Sequence, residues 1–179
     1  MKYINELNSA SYFTKNTLQQ VVPINDNALY SNIKRWIKQN IIMQLKRGMY
    51  VTNDYYIRLP EKQAYREFIA NKLKVPSYLS LEYVLQKYSL LTEGVYAFTS
   101  ITLKKTNTYQ NKLGLFTYSN ISQGLFTGYK IVGKEGFQIK EASKAKALFD
   151  FLYFFCISFI FGCISLSSFC DLMPFCDKG

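Results

Sequence analysis

The sequence predicts an α+β fold, and three observations carry the prediction. Apolar residues recur at helical spacing between residues 14 and 40. Residues 42–45 and 49–51 alternate loosely in strand fashion around Lys46-Arg47-Gly48. From Val95 to Ile139, short β-prone segments are punctuated by Gly114, Gly124, Gly133 and Gly136, with a helix expected on either side. A helix, a mostly antiparallel sheet and a closing helix make that second part α+β.

Taken in order, Lys2 to Ser9 reads as a short helix with Ile4 and Leu7 inward. Thr14 is the expected N-cap of the next helix, and Phe13 is spaced to pack on Leu18 as a hydrophobic staple. That helix ends near Val21, because Pro23 cannot donate and pushes Val22 out of the helical region. Asn25, Asp26 or Asn27 can cap a helix reaching Asn40. Its Leu29, Ile33, Trp36 and Ile37 fall at i, i+4, i+7 and i+8, one apolar stripe that makes Trp36 a core residue. The other face carries Asn27, Tyr30, Ser31, Lys34 and Lys38, with Arg35 beside them. A hairpin follows in which Gly48 supplies the positive φ, and Lys46 and Arg47 are expected to project from its tip.

A solvated basic helix followed by any hairpin is the plain reading of this region. Helix, short turn, capped basic helix and basic hairpin together predict a winged helix-turn-helix over residues 1–58. Asn27, Tyr30, Ser31, Lys34, Arg35, Lys38, Lys46 and Arg47 are then the expected contacts to double-stranded DNA.

Asn53 to Tyr56 reads as the exit from the hairpin. Pro60 and Glu61 suit the start of a helix to residue 73, expected as a linker or cover helix over 59–75 whose Lys62, Arg66, Glu67 and Lys72 are mostly solvated. The second unit spans 76–153. Ser80 is the expected cap of a helix burying Leu81, Val84, Leu85 and Tyr88, and Ser143 starts a closing helix. Few apolar residues are expected to bridge the two units. Lys104 to Lys112 reads as a basic polar loop suited to RNA, DNA or a partner, with Lys104, Lys105 and Lys112 as candidate partner contacts.

Composition narrows the function. The chain has 179 residues and a formal net charge of +10, which favours a polyanionic partner. Residues 1–59 hold eight basic residues against three acids. There is no histidine, so the commonest general base and metal ligand are missing. The acids Glu82, Glu93, Glu135, Glu141 and Asp150 stand singly. Cys156, Cys163, Cys170 and Cys176 recur every six or seven residues, which is neither a zinc spacing nor a distributed disulfide framework. No catalytic residue, metal or cofactor is expected, and the N-terminus lacks the apolar core of a signal peptide. A reducing cytoplasm is the default.

Three stretches resemble the AbiEi-type antitoxins of abortive-infection, type IV toxin–antitoxin systems. They are the region ending Lys46-Arg47-Gly48-Met49-Tyr50-Val51, the run Pro76 to Leu85 continuing through Val95 to Thr106, and Ala142 to Asp150. In the last, Ala145 stands where the family usually carries an acid. The likeness covers residues 1–153. It implies an autorepressor that binds inverted repeats upstream of its own operon. It also implies an antitoxin domain that counteracts a nucleotidyltransferase-like toxin, without requiring stable contact. A nucleic-acid-processing enzyme is the competing class.

The likeness stops at an apolar tail over 154–179. Residues 151–170 carry no charge, a run long enough to span a bilayer. Three readings stay open: a buried helix of the second domain, a membrane anchor that would tether the regulator to the inner face of the cell membrane, and a tail from a shifted reading frame.

Overall fold

Capping and apolar spacing set the first helices where the sequence places them. The computed structural model describes residues 6–22 and 24–165, with side chains to residue 156. The expected roles of Lys2, Ile4 and Pro23 lie outside the described residues. A single 3-10 turn, Leu7–Ser9, precedes β1 (Phe13–Thr14), which runs into α1 (Lys15–Val21). Thr14 and Thr17 form a reciprocal capping box, satisfying two donors that a helix start leaves open.

Asn25 accepts from the Ala28 amide at 2.8 Å and starts α2 (Asp26–Lys38). The stripe packs as its spacing requires: Leu29, Ile33 and Trp36 are buried with Leu7, Phe13, Leu18, Ile42 and Tyr50, and Ile37 lies against them. Strands β2 (Ile42–Lys46) and β3 (Met49–Thr52) close on an Arg47-Gly48 turn, where Gly48 has φ +79°. The three strands form a sheet in the order β1-β3-β2.

The hairpin does not lead into a loose exit. Thr52 caps α3 (Asn53–Arg58), accepting from the Tyr55 amide at 3.2 Å. The helix after it, α4 (Lys62–Leu73), is a cover helix rather than a free linker: Ala64, Tyr65, Phe68, Ile69, Ala70, Asn71 and Leu73 are buried, and so, against expectation, is Glu67. Glu67 is tolerated inside because two lysines meet it there.

The second sheet has the order β6-β7-β5-β4-β9-β8. Its strands are β4 (Ser77–Leu79), β5 (Ala97–Thr102), β6 (Asn107–Asn111), β7 (Gly114–Asn120), β8 (Tyr129–Lys134) and β9 (Phe137–Ala142). Three of its five pairings are antiparallel, as expected, but β4–β9 and β5–β7 pair parallel, so the sheet is mixed. The expected 104–112 loop contains the edge strand β6. Helix α5 (Leu81–Lys87) is capped across space: Thr99 Oγ1 accepts from the Tyr83 amide at 3.1 Å and donates to the Ser80 carbonyl at 2.6 Å. Ser80 Oγ instead donates to Asp150.

The closing helix α6 (Lys144–Ser165) is one-sided as far as its side chains are described. Ala147 and Asp150 are buried, while Leu148, Phe149, Leu152 and Phe155 face outward. Among the described residues, no helix is long and apolar enough to cross a membrane. Cys156 is free and exposed. The side chain of Cys163 and all of residues 166–179, with Cys170 and Cys176, lie outside the described residues.

Among the described residues the architecture is thus mixed α+β, with six α-helices and two sheets. The apolar sets are not separate as expected. Met43, Leu45, Met49 and Val51 join the core that contains Tyr65, Ile69, Tyr78, Phe116 and Ile139, whereas Ile42 and Tyr50 pack under α2. The hairpin buries both faces, because side chains alternate across a strand, one toward α2 and one toward the second sheet.

Candidate nucleic-acid interface

The outward face of α2 follows from its 3.6-residue period. With Leu29, Ile33 and Trp36 turned in, Asn27, Tyr30, Ser31, Lys34, Arg35 and Lys38 are all exposed. Ser31 Oγ donates back to the Asn27 carbonyl at 3.1 Å, leaving its lone pairs outward. Arg35 donates to Asn32 Oδ1 at 2.8 Å, which fixes part of its guanidinium. Lys34 and Lys38 make no ion pair among the described residues.

Lys15 ties the helices to the hairpin turn. Its amide donates to the Gly48 carbonyl at 3.2 Å. Its ammonium lies 2.9 Å from Asp26 and 4.4 Å from the centroid of the Tyr30 ring. The hydrogen bond to Asp26 raises the Lys15 pKa and lowers that of Asp26. The lone acid of this face is therefore neutralised at the positive start of the helix. Sequence reading did not single out Lys15. Its position directly after the Thr14 cap was the available signal.

Arg47 is exposed at the turn. Lys46 does not project as expected. It folds back, its Nζ donating to the Leu73 carbonyl at 2.6 Å. It lies beside a groove of about 500 Å³ between the two edge strands β2 and β6, lined also by Gln44, Arg47, Gln110 and Lys112. Lys112 donates across the junction to Asn40 Oδ1, and Asn111 Nδ2 donates to the Leu45 carbonyl at 2.9 Å. The candidate partner residues Lys104, Lys105 and Lys112 are exposed, and these bonds set Lys112 next to the end of α2.

One charged cluster escaped the sequence reading, which took the acids as isolated. Glu67 and Glu141, both buried, share Lys87 and Lys134: Glu67 lies 3.2 Å from Lys87 and 2.7 Å from Lys134, and Lys87 also bonds Glu141. Tyr83 OH donates to Glu67 at 2.7 Å and Tyr88 OH to Glu141 at 3.0 Å. Burial pushes the Glu67 carboxyl up, but Lys134, Tyr83 and Lys87 outweigh it and hold it below the usual carboxylate range. These carboxylates are already met by ammonium groups, a bonding pattern that braces α4 against α5 and β9. Among the described residues, no group of three His, Cys, Asp or Glu could hold a metal ion.

No protein-family model matches the chain, and no curated protein matches it.

Proposed function

We propose that the chain is a DNA-binding transcriptional regulator whose N-terminal part is a winged helix-turn-helix. One observation carries the reading. The exposed basic face of α2 and the exposed Arg47 turn belong to one small unit, in which a sheet of order β1-β3-β2 flanks α1 and α2. Strand, helix, helix, hairpin is the chain order such a motif needs, and the second helix is the one that enters a major groove. Asn27, Tyr30 and Ser31 in its first turns are suited to base edges, because they carry neutral donors and acceptors. Lys34, Arg35, Lys38 and Arg47 supply charge for phosphates.

The finer role rests on the sequence resemblance. In it the chain represses its own operon through an inverted-repeat operator and acts as the antitoxin of a type IV toxin–antitoxin (abortive-infection) system. The second unit then counteracts a nucleotidyltransferase-like toxin. The test of the DNA reading is a gel shift with duplex from upstream of the operon. Lys34→Ala, Arg35→Ala and Arg47→Ala combined are expected to abolish the shift. Unchanged affinity would assign the surface wrongly. The antitoxin reading is tested by co-expression with the neighbouring toxin, where growth is expected to be restored. Growth arrest despite soluble full-length chain would count against it.

A further inference from the structure

We propose that Lys46, Lys74 and Lys104 form a phosphate-binding cluster, occupied by the backbone of DNA already held by α2 and the hairpin. The proposal rests on the DNA-binding reading above and extends that interface onto the second sheet.

Three segments bring the lysines together: the end of β2, the end of α4 and the loop after β5. Lys46 Nζ donates to the Leu73 carbonyl at 2.6 Å, one residue before Lys74. Lys74 Nζ in turn donates to the Lys105 carbonyl, one residue after Lys104. The loop presenting Lys104 is pinned from both sides. Its amide donates to Thr102 Oγ1 at 3.2 Å, and its carbonyl accepts from Asn120 Nδ2 at 3.1 Å. A second bond, from the Asn120 amide to Thr106 Oγ1 at 3.2 Å, holds the same loop.

No carboxylate answers this charge. Among the described residues, none of the three lysines makes an ion pair. Burial, then repulsion from Lys104 and Lys74, lowers the pKa of Lys46. Burial, then Lys104, lowers that of Lys74. Like charges gathered on fixed backbone without a counter-charge favour an anion, and the nearest polyanion is the duplex at Arg47 and the hairpin. Two of the three ammonium groups are aimed by carbonyls, which leaves further N–H donors on each for phosphate oxygens. On this proposal Lys104 belongs to the DNA face rather than to a separate partner contact.

The test uses the full-length chain and lysine acetylation read by mass spectrometry. Inorganic pyrophosphate and duplex DNA are both expected to protect Lys74 and Lys104. Lys130, on the far edge strand β8, is expected to stay reactive. Lys104→Ala, whose ammonium has no hydrogen-bond or ion-pair partner among the described residues, is expected to make the salt dependence of duplex binding shallower by about 0.9 in log–log slope. Adding Lys74→Ala is expected to do so again. Protection by pyrophosphate but not by duplex would support the cluster and assign it to a free phosphate compound, overturning its place in the DNA interface. Protection by neither, or an unchanged slope with intact duplex binding, overturns the proposal. If the two variants leave DNA and pyrophosphate binding unchanged yet weaken toxin neutralisation, the site belongs to a protein partner. The variant combining Lys34→Ala, Arg35→Ala and Arg47→Ala separates the two readings. It is expected to lose duplex binding while pyrophosphate protection persists.

Discussion

Asn111 gives its side-chain amide to the carbonyl of Leu45 at 2.9 Å, so the edge strand of the large sheet holds the edge strand of the small one. Together with Met43, Leu45, Met49 and Val51 in the shared core, this makes the hairpin dependent on residues far along the chain. Residues 1–58 expressed alone are expected to keep α1 and α2 but to lose hairpin protection in hydrogen exchange. A fragment whose hairpin amides exchange as slowly as in the full chain would show that the shared core is dispensable. By the same packing, residues 76–179 alone would expose the apolar surface that the hairpin covers.

Trp36 is 9% exposed and packs with Leu29, Ile33, Ile42 and Tyr50. Trp36→Ala is expected to cost about 3–5 kcal/mol, the usual loss for a buried aromatic. Urea unfolding measures it. A midpoint unmoved by the substitution would return Trp36 to the surface.

The Trp36 stripe was legible because α2 is amphipathic: its exposed and buried residues alternate with the helical period, and that period is a local property. The helical span of α4 was legible too, but the burial of Glu67 was not, since with Arg66 and Lys72 around it this residue reads as solvated. What buries Glu67 is Lys87, 20 residues away, and Lys134, 67 residues away. No window of sequence contains that pairing. The basic residues of α2 could be named in advance for the same reason as the stripe. The fold-back of Lys46 could not, because its acceptor, the Leu73 carbonyl, lies 27 residues on.

Glu67 should also set part of the acid stability. Its folded pKa lies below the ordinary value of 4.5, through Lys134, Tyr83 and Lys87 acting against burial. A depressed carboxylate contributes fully above its unfolded pKa, and the contribution is lost as pH falls through the folded one. Glu67→Gln is therefore expected to cost about 3–5 kcal/mol at pH 7, as for a buried pair stripped of one partner. The gap between the two proteins should narrow below about pH 4.5. Denaturant midpoints at pH 7, 4 and 3 decide it, and a gap constant with pH would mean that shape rather than charge matters at this position.

Thr99 should matter through a single hydroxyl. It accepts from the Tyr83 amide at 3.1 Å and donates to the Ser80 carbonyl at 2.6 Å. Thr99→Val keeps the volume and leaves a buried N–H without a partner, at an expected cost of about 1–3 kcal/mol. Ser80→Ala leaves that cap in place and acts instead through Asp150. Stability equal to wild type in Thr99→Val would mean the α5 start is satisfied some other way.

Asp150 is the point where α6 is fastened to the sheet. Its Oδ2 accepts from Ser80 Oγ at 2.7 Å and from Tyr78 OH at 3.1 Å. Its Oδ1 lies 2.7 Å from Lys146 Nζ, an ion pair within one helical turn, although no aligned hydrogen bond reaches that oxygen. The carboxylate is fully buried, so an unmet charge there would be costly. The bonds to Tyr78 and Ser80 span 72 and 70 residues. Around this anchor Ala147 is buried and Phe151, Tyr153 and Phe154 lean on the core. The start of the helix is thus an integral closing element. Asp150→Ala leaves the Tyr78 and Ser80 hydroxyls without their acceptor and Lys146 with only the Leu125 carbonyl at 2.7 Å, and is expected to cost about 3–5 kcal/mol. Asp150→Asn keeps the size and an acceptor oxygen, so it should cost less. Limited proteolysis reads the location of the damage: cleavage after Lys144 or Lys146 should accelerate in Asp150→Ala while sites in α2 stay protected. Equal cleavage in wild type and Asp150→Ala would mean that the apolar contacts of Phe151 and Phe154 hold the helix without its buried acid.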